Sequence, residues 1–141
     1  FGGEHSAHYY FRDFWGADSG MLAALHTLAA LGETPEGTTL SSLLAQYQRY
    51  SASGEINTVV ADPKAVIEVV ASRFADAPQD RLDGLTVDVA GRDADPWWFN
   101  LRPSNTEPLL RLNLEASDRE ACDHHVAEVR ALIADAAGLQ D

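Results

Sequence analysis

The sequence predicts an α+β protein whose larger part is a mainly antiparallel four-stranded sheet packed by helices, in the order βαβββα. Three observations lead there. Apolar and polar residues alternate through Leu85–Val89 and through Leu110–Glu115, the period of a half-buried strand. Apolar residues recur every three or four positions through 63–74 and 118–137, the period of a helix with one buried face. Ser51-Ala52-Ser53-Gly54 is a run of small residues that separates this part from a preceding stretch of helical pattern. The expected organisation is therefore 1–50, a loop and helices, and 51–141, an α+β domain.

Each element follows from local signals. Asp18-Ser19 suits a helix cap, and Met21, Leu22, Leu25, Leu28 and Ala29 form the stripe of a helix that Gly32 ends. "GETPEGTT" reads as a loop. Thr39 or Ser41 opens a second helix through Tyr50, with Leu40, Leu43, Leu44 and Tyr47 on one face. Glu55–Ala61 is rich in strand formers. Pro63 stands where the first turn of a helix tolerates it, and Val66, Ile67, Val70 and Phe74 line that helix. "GRDAD" is a turn between the strand at Leu85–Val89 and the next, "PWWFNLR"; "PLLRLNLEA" is the last strand. Ser117-Asp118 caps a final helix to about Ala137, with Cys122, Val126, Val129 and Ile133 inward.

Composition narrows the function. Hydrophobic residues make up 45% of 141 residues, enough for a core, and the formal net charge is −12. Such a charge opposes non-specific binding to nucleic acid and to anionic membranes. The single cysteine, Cys122, excludes an internal disulfide and a cysteine-based zinc site. The apolar run Met21–Leu31 is shorter than the ~20 residues that span a bilayer, and it contains His26. No signal peptide is visible, and a cytoplasmic location is expected. A chain opening on Phe1 is expected to be a processed chain or a fragment.

Two stretches carry chemistry. "GGEHSAHYYFRD" places Glu4, His5, Ser6 and His8 within a few residues. A carboxylate accepts hydrogen bonds, and a serine or a histidine can donate or accept, so this is a dense run of polar chemistry. "RPSNTEP" has proline near both ends and Ser104, Asn105 and Thr106 in the middle. A short hairpin would favour Asn-Gly or Asp-Gly. This loop instead offers the fork of Arg102, two hydroxyls, an amide and successive backbone N–H groups, which are the parts of a phosphate cradle. Arg111 on the following strand adds a second cation. The same residues also suit a solvated polar turn, and their composition alone does not separate the two readings.

Together, "GGEHSAHYYFRD…GADSG" and, further along, "RPSNTEPLLRLNLEA" resemble the C-terminal part of the α-D-phosphohexomutases, on the phosphomannomutase/phosphoglucomutase side of that family. The resemblance runs through nearly the whole chain. It implies four domains around a deep cleft, of which this chain holds the tail of the sugar-binding third, an α/β domain, in 1–50 and all of the phosphate-binding fourth in 51–141. It implies interconversion of hexose 1-phosphate and hexose 6-phosphate, through a phosphoserine and a hexose 1,6-bisphosphate intermediate. It implies Mg²⁺ bound outside this chain, hexose phosphates as partners, and no activity of the chain alone. Residues 1–50, lacking most of the sheet their helices would cover, are expected to expose apolar surface or self-associate.

Residue by residue, the resemblance makes Glu4 and Ser6 contacts to sugar hydroxyls and His8 the histidine beside the reacting hydroxyl. It makes Arg102, Ser104, Asn105 and Thr106 the phosphate loop. His5 fills a variable position that tends to be Gln in phosphoglucosamine mutases, which favours the mannose/glucose branch. Ala7 stands where the family usually has Gly; if that position has positive φ, the alanine costs ~1 kcal/mol. The alternative is a non-catalytic, regulatory phosphate-binding module, which would have no use for Glu4, Ser6 and His8.

Other residues have plainer expectations. His5 and His8 as metal ligands lack a third partner at a usual spacing. A Ser6–His8–Asp13 triad lacks the surroundings of a nucleophile elbow. His26 is expected at the edge of a helix core, Cys122 as a buried small hydrophobe, and His124-His125 on an acidic helix with at least one ring solvated. Of Trp97-Trp98, one is expected in the core.

Overall fold

A computed structural model describes residues 1–4, 7–89 and 96–138. It divides into two units, Phe1–Gln48 and Arg49–Asp141. His5, Ser6, and the expected turn Gly91–Asp95 lie outside the described residues.

The first unit begins with three short antiparallel strands, which the sequence pattern did not suggest. β1 (Gly2–Gly3) pairs with β2 (Tyr9–Phe11), and β2 with β3 (Ala17–Asp18). A 3₁₀ turn, Arg12–Phe14, joins the last two. α1 (Gly20–Gly32) is capped by Ser19, whose hydroxyl accepts from the Leu22 N–H at 3.2 Å. α2 (Leu40–Ala45) carries a reciprocal cap between Thr39 and Ser42. It ends five residues before the expected Tyr50. Among the described residues of this unit none is buried, and Met21, Leu25, Leu28, Leu44 and Tyr47 are exposed. His26 is exposed as well, its ring stacked on Phe11.

The second unit holds the α+β domain. Its long strands are β5 (Ile56–Val59), β7 (Leu85–Asp88), β8 (Trp97–Pro103) and β9 (Leu109–Ala116). Two two-residue strands extend the sheet, β4 (Ser51–Ala52) and β6 (Gln79–Asp80). Every pairing is antiparallel, in the order β4-β9-β8-β7-β6, with β5 also on β9. β4 and β5 thus share one edge of β9, interrupted at Ser53–Glu55. There Gly54 takes φ +68°, and the Ser53 hydroxyl accepts from the Leu114 N–H at 3.0 Å, keeping the ladder satisfied across the gap.

α3 (Pro63–Arg73), capped by Asp62, and α4 (Arg119–Ala137), capped by Asp118, cover one face of this sheet. The strand alternation does the rest. Trp97, Phe99, Leu101, Leu110, Leu112 and Leu114 point into the core with Val66, Val70, Cys122, Val129 and Ile133. The residues between them, Trp98, Asn100, Arg102, Arg111, Asn113 and Glu115, point to the other face. Cys122 is fully buried, as expected, and Trp97 is the core tryptophan, its ring stacked on His125. No described helix is long and apolar enough to cross a membrane.

Candidate functional site

The loop between β1 and β2 is closed by its own backbone: the Glu4 N–H donates to the His8 carbonyl and the Ala7 N–H to the Glu4 carbonyl, both at 3.0 Å. Ala7 sits at φ +63°. The alanine therefore occupies the left-handed conformation in which glycine is favoured. The Tyr10 hydroxyl donates to Glu4 Oε1 at 2.7 Å, which fixes the carboxylate and holds the phenol above its ordinary pKa.

His8 is oriented by a residue that the sequence offered only as a helix cap. Its Nδ1 lies 2.7 Å from Asp18 Oδ2, while Asp18 Oδ1 accepts from the Tyr9 N–H at 2.8 Å. The carboxylate beside His8 is thus Asp18 rather than Asp13. The hydrogen bond to Asp18, reinforced by its charge, raises the His8 pKa, and the same contact lowers that of Asp18. The contact uses Nδ1 of the ring and not Nε2.

In the second unit, β8 and β9 are joined by residues 104–108. The Ser104 N–H donates to the Leu109 carbonyl at 2.8 Å and closes the loop. The Thr106 N–H reaches Ser104 Oγ at 3.4 Å, as does Arg111 Nη2. The side chains of Asn105 and Thr106, both exposed, make no hydrogen bond to another described residue. Arg102 and Arg111 are register partners, facing each other across the two strands. Their guanidiniums are drawn toward a carboxylate that the sequence gave no reason to choose. Glu55 Oε2 lies 3.6 Å from Arg102 Nη2, and Glu55 Oε1 lies 3.6 Å from Arg111 Nη1. Asp83 Oδ2 stands 3.5 Å from Arg102 Nη1. These separations exceed those of hydrogen bonds, so the forks are paired in charge while their N–H groups keep capacity to donate. Arg111 Nε is buried with no hydrogen-bond partner among the described residues.

Arg102 and Asn105 line a cleft of about 430 Å³ with Lys64, Arg81 and Gly84. Arg81 is already held by Glu68 at 2.5 and 3.0 Å, leaving Lys64 as the second cation with no such clamp. Gly84, at φ +74°, sets the close approach: a Cβ there would come within 2.5 Å of the Leu101 carbonyl and 2.7 Å of Arg102 Cβ. Four of the expected phosphate-site residues, Arg102, Ser104, Asn105 and Thr106, come together with Arg111. Glu4 and His8 come together in the first unit, and Ser6 is outside the described residues.

Only one group of three His, Cys, Asp or Glu side chains among the described residues is close enough to share an ion. It comprises His124, His125 and Glu128 on α4, with ligand atoms within 4.8 Å of one another. Two imidazoles suit a transition metal, whereas Mg²⁺ takes oxygen ligands. This group therefore does not fit the Mg²⁺ that the resemblance implies.

The second unit is thus an antiparallel α+β domain carrying an Arg-Pro-Ser-Asn-Thr loop, and it follows a loop whose glutamate and histidine are held by hydrogen bonds. The family model described as phosphoglucomutase/phosphomannomutase, alpha/beta/alpha domain III, matches residues 1–50, and that described as phosphoglucomutase/phosphomannomutase, C-terminal domain, matches residues 55–132. The chain belongs to the phosphoglucomutase/phosphomannomutase family.

A phosphomannomutase of Methanocaldococcus jannaschii is 42% identical over 134 residues, covering 95% of this chain and 28% of that protein. A phosphomannomutase of Salmonella montevideo is 46% identical over 119 residues, covering 82% and 25%. In the crystal structure of a phosphoglucomutase/phosphomannomutase family protein from Burkholderia thailandensis, 29% of the chain matches 99% of this one with a TM-score of 0.73 at 24% identity. The chain thus spans about a quarter of the length of the curated relatives it matches.

Proposed function

We propose that this chain supplies the sugar-binding and phosphate-binding loops of a phosphohexomutase that interconverts hexose 1-phosphate and hexose 6-phosphate. The observation that carries the proposal is the register pairing of Arg102 with Arg111 beside a loop in which Ser104 Oγ lies 3.4 Å from both the Thr106 N–H and Arg111 Nη2. Relatives named phosphomannomutase, matched along 82–95% of the chain, support it.

Each group has a task in that reading. Glu4, held by Tyr10, accepts the hydroxyls of the sugar ring. His8, held by Asp18, exchanges a proton with the reacting hydroxyl through Nε2. Arg102, with Ser104, Asn105, Thr106 and Arg111, grips the phosphate that is not being transferred, so one clamp serves both orientations of the sugar. The family resemblance assigns the phosphoserine, the bisphosphorylated intermediate and the Mg²⁺ to other parts of such an enzyme. Mg²⁺ when bound neutralises charge on the phosphoryl group in transfer.

The test is a titration of the chain with glucose 6-phosphate, followed through backbone amide NMR signals. Residues 102–106 should shift in a saturable way, and Arg102→Ala should weaken binding about 10-fold or more, since charge-assisted bonds contribute ~1.5–3 kcal/mol. Arg102→Lys should not restore it, because an ammonium lacks the planar fork. Unchanged binding in Arg102→Ala would return this loop to the status of a polar surface turn.

A further inference from the structure

The phosphate-loop reading leaves one strong feature unused: the carboxylate that bridges its two arginines. Two like charges placed opposite each other on neighbouring strands repel and destabilise the pair. Arg102 and Arg111 are such a pair. Glu55 answers both at once, one oxygen toward each guanidinium at 3.6 Å. This is the same two-oxygen bridge that a phosphate would make. The position is set by the backbone. Asn57 is the register partner of Arg111 on β5, and Glu55, two residues earlier, follows the interruption in which Gly54 takes φ +68°, so its side chain reaches Arg111 diagonally.

Resting on the phosphate-loop reading, we propose that Glu55 is the internal counter-ion of this site, competing with phosphate for both forks and so moderating its affinity. The geometry favours competition over reinforcement. A residue that locked the arginines for ligand would hold them in short, directed hydrogen bonds, as Glu68 holds Arg81 at 2.5 and 3.0 Å. Glu55 instead stands off at 3.6 Å from both. Its negative charge would also face an incoming phosphate directly. The purpose follows from the reaction proposed above. A clamp that releases one phosphate of a sugar and accepts the other within a single turnover is slowed by excess ground-state affinity, which does nothing for the transition state.

The experiment is a titration of inorganic phosphate into the 141-residue chain at constant ionic strength, read from the Asn105 and Thr106 amide signals and from thermal midpoints. Glu55→Gln should bind phosphate about 3- to 10-fold more tightly than wild type, the scale of one partly screened charge at contact distance. Its midpoint should be lower than wild type without phosphate and should rise further when phosphate is added. A merely structural role would lower the midpoint without tightening binding. Glu55→Asp, which keeps the charge, should stay within about twofold of wild type. Equal or weaker binding in Glu55→Gln, or an equal gain in Glu55→Asp, overturns the proposal. Arg102→Ala separates it from the reading beneath. If wild type binds, Arg102→Ala does not, and Glu55→Gln is unchanged, the phosphate loop stands and the counter-ion falls. If neither wild type nor Glu55→Gln binds, both fall together.

Discussion

His8 and Asp18 titrate as partners, and the direction of each shift sets a pH window. The His8 pKa is raised above its unfolded value, so its contribution to the pair is full below ~6.5 and is lost as pH rises through the raised value. The Asp18 pKa is lowered, so its contribution is present above ~3.9 and is lost as pH falls through the lowered value. The contact is therefore strongest from about pH 4 to 6.5. In an NMR titration of the imidazole Cε1–H, Asp18→Asn should move the His8 pKa down toward the ordinary value of ~6.5; no movement would remove Asp18 as its cause. Ala7, at φ +63°, yields a second prediction at this scale. Ala7→Gly should relieve that conformation and strengthen the bond from the residue-7 N–H to the Glu4 carbonyl, by ~0.5–1 kcal/mol in hydrogen exchange at the residue-7 and Glu4 amides. Glu4 and His8 stood out in the sequence as candidates, because the stretch that holds them is local. Asp18 was not. Its link to His8 exists only once β2 and β3 pair, and strands of two or three residues leave no alternation to read.

Among the elements, the loop Arg81–Gly84 and the strands beside it are tied to one atom that is absent. Gly84 has no Cβ, and adding one would drive it into the Leu101 carbonyl and Arg102. Gly84→Ala should cost at least ~2–3 kcal/mol in denaturant unfolding, from a forced positive φ and a backbone clash together. It should also weaken phosphate binding by displacing Arg102. A stable variant with intact binding would mean that this approach is slack. Cys122 reports on the packing behind the same sheet. It is fully buried and its thiol is held above its ordinary pKa by burial, so alkylation at neutral pH should follow unfolding of the second unit and not precede it. The long strands and both helices of this unit were readable from period and caps: Leu110, Leu112 and Leu114 alternate, and Asp118 opens α4 as its position before the apolar stripe suggests. The short strands β4 and β6 were not, since tertiary pairing and not local pattern creates them. With β4 missed, the interruption that positions Glu55 was invisible too.

At the scale of the molecule, the two units differ in what supports them. Every buried hydrophobic side chain among the described residues lies between Val60 and Ile133, while the first unit leaves Trp15 and the α1 face at Met21, Leu25 and Leu28 exposed. Limited proteolysis should therefore cut within residues 1–48 well before it reaches the sheet of the second unit; equal resistance along the chain would contradict the burial pattern. Burial also governs how heat is absorbed on melting. Unfolding raises the heat capacity in proportion to the apolar surface newly wetted, and a chain of ordinary packing gains ~12–15 cal/mol/K per residue. Here every fully buried apolar side chain among the described residues lies in the second unit, Arg49–Asp141, and the first unit holds only half-buried ones. A calorimetric scan should accordingly record one transition whose heat capacity step and enthalpy are about two thirds of what 141 uniformly packed residues would give. The shortfall is the signature of a segment that holds local structure while burying little apolar surface.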